Sequence, residues 1–215
     1  MQFTTVLFDL DGTLYTNTTG LWQKIKERIT CYLTERMGFT YEEQEHIRDH
    51  YLKTYGTTLR GLQENYHVDT DDYLAFVHDV PLEEFITPDP ELRSLLRRIK
   101  CQKWIFSNAD NDHVMRVSQV LGIQDCFDGI IDIRKLGFVC KPDIQAYHKA
   151  LQILNQPLPS KCVFIDDAER NLVPARELGM YTVQIIENGN IGDETAQARI
   201  HSIHELPQIL PELWD

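Results

Sequence analysis

Short apolar, β-prone runs recur along this chain, and three of them stop abruptly at polar or acidic clusters. Thr5-Val6-Leu7-Phe8 runs into Asp9-Leu10-Asp11-Gly12-Thr13, Lys103-Trp104-Ile105-Phe106 into Ser107-Asn108, and Cys162-Val163-Phe164-Ile165 into Asp166-Asp167. An unbroken apolar run closed by a polar turn reads as a strand buried on both faces. Residues 181–185 read as a further strand and residues 129–133 as a short one, while residues 113–121, 144–154 and 172–178 carry helical periodicity. Strand, polar turn, helix, strand is the pattern of a parallel sheet, so the predicted fold class is α/β with a Rossmann-like core. Ligands of such sheets bind beyond the carboxyl ends of the strands, where each of these clusters falls.

Residues 17–87 interrupt the pattern. Leu21, Ile25, Ile29 and Leu33, and later Tyr73, Phe76 and Val77, recur at helical spacing, with turn signals near Gly38, Gly56 and Pro81. The expectation is a helical cap inserted after the first strand, residues 17–87, on an α/β core made of residues 1–16 and 88–215. The prolines of Thr87-Pro88-Asp89-Pro90 mark the return to the core. Residues 200–215 are expected to add a short strand and a short helix.

A formal net charge of −12 opposes binding to a nucleic-acid polymer or an anionic membrane. A small anionic substrate then needs local positive charge from a metal ion, a lysine or a helix N-terminus. The five cysteines are scattered, without metal-ligand spacing, and suit free thiols in a reducing compartment. Residues 1–5 open without a signal-like stretch and no apolar run reaches membrane-spanning length, so the expected location is cytoplasmic. No feature sets the oligomeric state.

The strand-end clusters suit phosphate chemistry. Asp9 can attack phosphorus, and Asp11, two residues on, can protonate the departing alkoxide and then deprotonate the attacking water. Mg2+ takes hard oxygen ligands, and Asp9, the Asp11 backbone carbonyl and one carboxylate of the Asp166-Asp167 pair can supply them. Asn171 reads as a helix N-cap with Pro174 in the first turn, and as a holder of metal-bound water. The Ser107 hydroxyl and the N–H groups around Asn108, near a helix start at Asp110, can bind phosphate oxygens. Lys141 is a point charge able to neutralise phosphate and keep Asp9 ionised. Each cluster alone also reads as an ordinary turn, cap or loop residue; their order along one sheet makes the case.

Asp9-Leu10-Asp11-Gly12-Thr13-Leu14, Ser107-Asn108-Ala109, Lys141-Pro142 and Ile165-Asp166-Asp167 resemble, in order, the four motifs of the haloacid dehalogenase superfamily of phosphohydrolases. The resemblance covers residues 3–184. It implies Asp9 as nucleophile, Asp11 as acid and base, a Mg2+ cofactor contacted by Asp167, and Asp166 and Asn171 in support. Tyr55-Gly56-Thr57-Thr58-Leu59-Arg60-Gly61-Leu62, with Val68-Asp69 and residues 73–79, resembles the pyrimidine 5′-nucleotidase subgroup. That implies hydrolysis of UMP or CMP; beside it, Arg60 is suited to pair with a ligand oxygen and Tyr55, Thr57 or Thr58 to face a base or ribose. Tyr55, Leu59, Leu62 and Tyr66 equally read as a packed helical face, and His67 and His78 as ordinary cap residues. A haloacid dehalogenase has no use for Asp11. The alternatives are a phosphatase for a phosphosugar or phosphoglycolate, a phosphomutase, and a phospho-accepting module without turnover.

Overall fold

Among the described residues six strands lie side by side in the order β3-β2-β1-β4-β5-β6, and every neighbouring pair is parallel. They are β1 (Thr5–Phe8), β2 (Gln102–Phe106), β3 (Gly129–Ile131), β4 (Cys162–Asp166), β5 (Tyr181–Ile185) and β6 (Ala198–Ile200). The computed structural model describes residues 3–155, 157–186 and 195–214; Met1, Gln2 and Asp215, parts of the terminal stretches read above, lie outside them. β1 and β4, adjacent at the middle of the sheet, are buried along their whole length. Their side chains alternate between two cores. Val6, Phe8, Val163 and Ile165 enter one, while Leu7, Cys162 and Phe164 enter the other. Each large apolar side chain removed from water contributes about 1.5–3 kcal/mol.

Between β1 and β2 come the helices α1 (Leu21–Cys31), α2 (Tyr41–Tyr55), α3 (Thr58–Asn65) and α4 (Thr70–His78). Thr40 and Glu43 form a reciprocal capping box at the start of α2, and Gly56 ends it at φ 85°, a left-handed conformation that suits glycine. These helices share a core of Tyr32, Leu33, Tyr51, Leu59, Leu62, Tyr73, Leu74 and Val77, joined by Ile133 and Cys140 from the segment after β3. Leu21 and Ile25 instead pack into the sheet's own core. Arginines bind the ends of the inserted helices. Arg170 donates to the carbonyls of Leu52 and Gly56, Arg116 to those of His78 and Val80, and Arg28 to that of Phe76.

The remaining helices are α5 (Pro90–Arg98), α6 (Asn111–Leu121), α7 (Ile144–Ile153), α8 (Glu169–Glu177) and α9 (Leu206–Ile209). Two sequence expectations need correction. β3 stops at Ile131 because the Asp132 carboxylate turns to accept from the N–H groups of Asn111 and Lys135. Asn171 is not an N-cap: α8 begins at Glu169, so Asn171 sits within the helix and Pro174 lies in its interior. The reason is Asp166, whose carboxylate accepts from the N–H of Ala168 and from the Asn171 amide, folding the chain into helix three residues earlier. All five cysteines are free thiols. Among the described residues no helix is long and apolar enough to cross a membrane.

Candidate active site

β1, β2 and β4 end side by side, so the turns after Phe8, Phe106 and Ile165 meet at one edge of the sheet. Lys141 reaches this edge from the segment before α7. Its ammonium is buried, with Nζ 2.8 Å from Asp9 Oδ1 and 2.7 Å from Asp166 Oδ2. Burial opposes its charge, but the two carboxylates outweigh burial and raise its pKa, so it is an ammonium. Asn108 holds the backbone of Lys141 at both polar groups: its amide donates to the carbonyl at 3.0 Å and its oxygen accepts from the N–H at 2.9 Å. The Asn108 side chain is therefore engaged in placing Lys141. Ser107 is buried, and its hydroxyl oxygen accepts from the N–H of Ala109 while its proton remains free to donate.

The carboxylates are unequal. Asp166 is fully buried and bound by Lys141, Asn171 and the Ala168 N–H. Asp167 lines the cavity and accepts from Asn17 Nδ2 at 3.1 Å. Burial, then the charge of Asp166, pushes Asp167 up to about 7. Burial also pushes Asp9 well above its ordinary value; Lys141 opposes this, while Asp166, Asp167 and Asp11 add to it. Asp11 runs the other way: burial alone would raise it, but His113, Tyr15 and His78 together hold it below the usual carboxylate range. One ammonium cannot neutralise this group of acids, and a further cation would lower the strain of ionising Asp9 and Asp167.

A divalent cation fits the residues present. Asp9, Asp166 and Asp167 each offer an oxygen within 4.8 Å of the others, and hard oxygen donors of this kind suit Mg2+. The turn is shaped for it: Gly12 has φ 86°, and a Cβ there would fall 2.6 Å from Asp167 Oδ2. The buried Asn171 Oδ1 and Gln184 Oε1 beside the cluster have no partner among the described residues.

Above these residues lies a cavity of about 510 Å3. Its floor includes Asp9, Asp11, Ser107, Lys141 and Asp167, and its wall includes Trp22, Ile25, Ile29, Leu59, Leu74 and Val77 from the inserted helices. Thr57 and Thr58 line it, but Tyr55 and Arg60 do not. Arg60 is paired with Glu64 at 2.5 Å, and the Tyr55 hydroxyl accepts from Asn65. The sequence does not single out Trp22 and Arg170 on the cavity wall or the buried His113 and Tyr15 beside Asp11, and His78, read as an ordinary cap residue, also lines the cavity. Only the i, i+4 spacing of Asp11 and Tyr15 was there to read; His113 is 102 residues from Asp11.

Comparison with known proteins follows the same lines. The chain is 29% identical over 223 residues to phosphate metabolism protein 8 of Saccharomyces cerevisiae, covering 97% of this chain and 70% of that one. It is 23% identical over 230 residues to the glyceraldehyde 3-phosphate phosphatase of Methanocaldococcus jannaschii, covering 97% of each. Among solved structures it resembles a HAD phosphatase from Thermococcus onnurineus, with a TM-score of 0.65 and 22% identity over 96% of this chain and 97% of that one. The sequence profile of the haloacid dehalogenase-like hydrolases matches residues 3–179, a span that takes in the turns after β1, β2 and β4 and Lys141. With profile and sheet edge in agreement, the chain belongs to the haloacid dehalogenase-like hydrolase family.

Proposed function

We propose that the chain is a Mg2+-dependent phosphomonoester hydrolase working through an aspartyl-phosphate on Asp9, with pyrimidine nucleoside 5′-monophosphates, UMP and CMP, as substrates. The observation that carries this reading is Asp9 on the cavity floor, bound by the buried Lys141 ammonium 2.8 Å away and flanked by Asp166 and Asp167. A carboxylate approaching a phosphate dianion meets like charge unless cations are in place. Lys141 is one. Asp9, Asp167 and the Asp11 backbone carbonyl would hold Mg2+, which when bound screens the phosphate oxygens from Asp9.

This chain's residues then divide the work. The Ser107 hydroxyl and the N–H groups of the turn after β2 bind phosphate oxygens, and Asn108 keeps Lys141 in register. Asp9 attacks in line. Asp11 gives its proton to the departing oxygen and later takes one from water as that water attacks the acylphosphate. The depressed pKa keeps Asp11 ionised and so able to accept a proton in the second role, and an arriving phosphate dianion raises it towards the first. Residues 17–87 act as a cap that excludes water over a core of residues 1–16 and 88–215.

The cavity supports a sizeable leaving group: about 510 Å3 with an aromatic and aliphatic wall suits a nucleoside better than a triose. A second reading, a small phosphosugar substrate, draws on the glyceraldehyde 3-phosphate phosphatase relative. Comparing kcat/KM for UMP, CMP, AMP, GMP and glyceraldehyde 3-phosphate with Mg2+ separates the two. A preference for the triose phosphate overturns the nucleotide reading. Turnover of every ester by Asp9→Asn at the normal rate overturns the mechanism.

A further inference from the structure

Asp11 is gripped by residues that phosphoryl transfer does not itself demand. The Tyr15 hydroxyl donates to Asp11 Oδ1 at 2.5 Å. His113, buried in the first turn of α6, places Nε2 3.1 Å from the same oxygen. With Asp11 ionised its oxygen can only accept, so Nε2 carries the hydrogen of this contact; Nδ1 is buried and has no partner among the described residues. The His113 ring is itself braced. His78, the last residue of α4, stacks on it with centroids 4.2 Å apart and planes 19° apart, and His78 Nδ1 lies 3.2 Å from Asp110 Oδ1.

Both donors converge on Oδ1, and neither touches Oδ2. An sp² oxygen has two lone-pair sites, and two accepted hydrogen bonds fill them. Free carboxyl torsions are broad and two-fold, so without these donors a proton would reside on either oxygen and the group would turn freely. We propose that Tyr15 and His113 are positioning residues that occupy Oδ1 of Asp11 and assign its transferable proton to Oδ2, with His78 bracing His113. The proposal rests on Asp11 being the acid of the reaction above. As the bond from phosphorus to the ester oxygen breaks and the bond to Asp9 forms, the ester oxygen takes the Oδ2 proton and Asp11 becomes a carboxylate. Water then attacks phosphorus: its oxygen bonds phosphorus as the bond to Asp9 breaks and frees the Asp9 carboxylate, and one of its protons returns to Asp11.

The test is leaving-group dependence in Tyr15→Phe, His113→Ala, His113→Gln and Asp11→Asn, with UMP as the alkyl ester and p-nitrophenyl phosphate as the activated one. A poor leaving group needs the proton and a good one does not. A positioned acid contributes about 10²–10⁴-fold, so Tyr15→Phe and His113→Ala should each lower kcat on UMP by roughly tenfold or more, with under about threefold loss on p-nitrophenyl phosphate and KM within about twofold. His113→Gln, whose amide can still donate to Oδ1, should recover part of the loss. Equal losses on both esters, or an unchanged kcat on UMP, overturn the proposal. Tyr15→Phe deletes a single oxygen, so it decides the matter should His113→Ala fail to fold. The split between esters in Asp11→Asn is read separately: its absence there removes the acid reading itself, whereas its presence there without a split in the Tyr15 and His113 variants removes only the positioning claim.

Discussion

Replacing Lys141 by Met removes the one ammonium from a buried group of acids and keeps the length of the side chain. At 2.8 and 2.7 Å from Asp9 and Asp166, each contact is worth about 6 kcal/mol of Coulomb attraction at an effective dielectric of ~20. Desolvating Lys141 offsets much of that, and breaking one side of a buried pair costs about 3–5 kcal/mol net. For a chain of this length that corresponds to a fall in Tm on the order of 10 °C. The loss carries a pH signature. Asp9 is already raised in the folded protein despite Lys141, which lowers it, so removing the lysine raises it further. A carboxyl raised by folding holds extra protons in the native state at pH values between its unfolded and folded pKa, so stability falls as pH rises through that window. The variant's deficit should therefore be larger at pH 8 than at pH 5 in metal-free thermal unfolding followed by circular dichroism. Activity should fall by about 10³-fold or more, in line with a loss of several kcal/mol of electrostatic stabilisation. A deficit below about 1 kcal/mol that is equal at the two pH values would show that Lys141 does not carry the charge balance of the site.

Other outcomes follow from the same geometry. Gly12→Ala puts a Cβ 2.6 Å from Asp167 Oδ2 at a left-handed φ, so backbone strain of about 1–2 kcal/mol should lower Tm by about 5 °C. The same variant should weaken Mg2+ dependence, and an unchanged Mg2+ titration would contradict the role given to Asp167. Asp167 rests at about 7, so metal-free stability should fall between about pH 4 and 7, and Mg2+, which needs the carboxylate, should raise Tm more at pH 8 than at pH 5.5. A larger shift at the lower pH would refute this. Gly61→Ala drives a Cβ to 2.1 Å from the Tyr51 ring, where α2 and α3 touch, and should cost about 1–3 kcal/mol. In a Tyr51→Leu background the cost should shrink, as chemical denaturation would report.

The sheet was legible because its signal is local. β1 and β4 are unbroken apolar runs, and each delivers its acidic pair to the same edge without help from distant residues. Lys141 could be placed only through its motif; its burial depends on Asn108, 33 residues away, and on the Phe106 and Phe164 rings beneath its ammonium. Asn171 was misread because N-cap preference is a weak local rule, and the Asp166 carboxylate overrode it. Tyr55 and Arg60 have side chains suited to a ligand, but their partners Asn65 and Glu64 are neighbours on the insert that residue type alone does not reveal. The pairing of His113 with Asp11 had no sequence signature, since only the fold brings the first turn of α6 against the β1 turn.

The arginines on the inserted helices have a mechanical consequence. Arg170 and Arg116 belong to the sheet domain's helices and grip the carbonyl ends of α2 and α4, where helix dipoles are negative. Polar bonds of this kind trade readily for water, at about 1 kcal/mol net each, so they act as latches rather than welds. Apolar packing holds the rest of the insert, since Leu21 and Ile25 enter the sheet's core and Ile133 and Cys140 enter that of the helices, so releasing a latch loosens the ends of α2 or α4 alone. Arg170→Ala should speed amide hydrogen exchange at the end of α2 with little change in global unfolding, and a protein released this way would admit bulky esters faster but hold them less long.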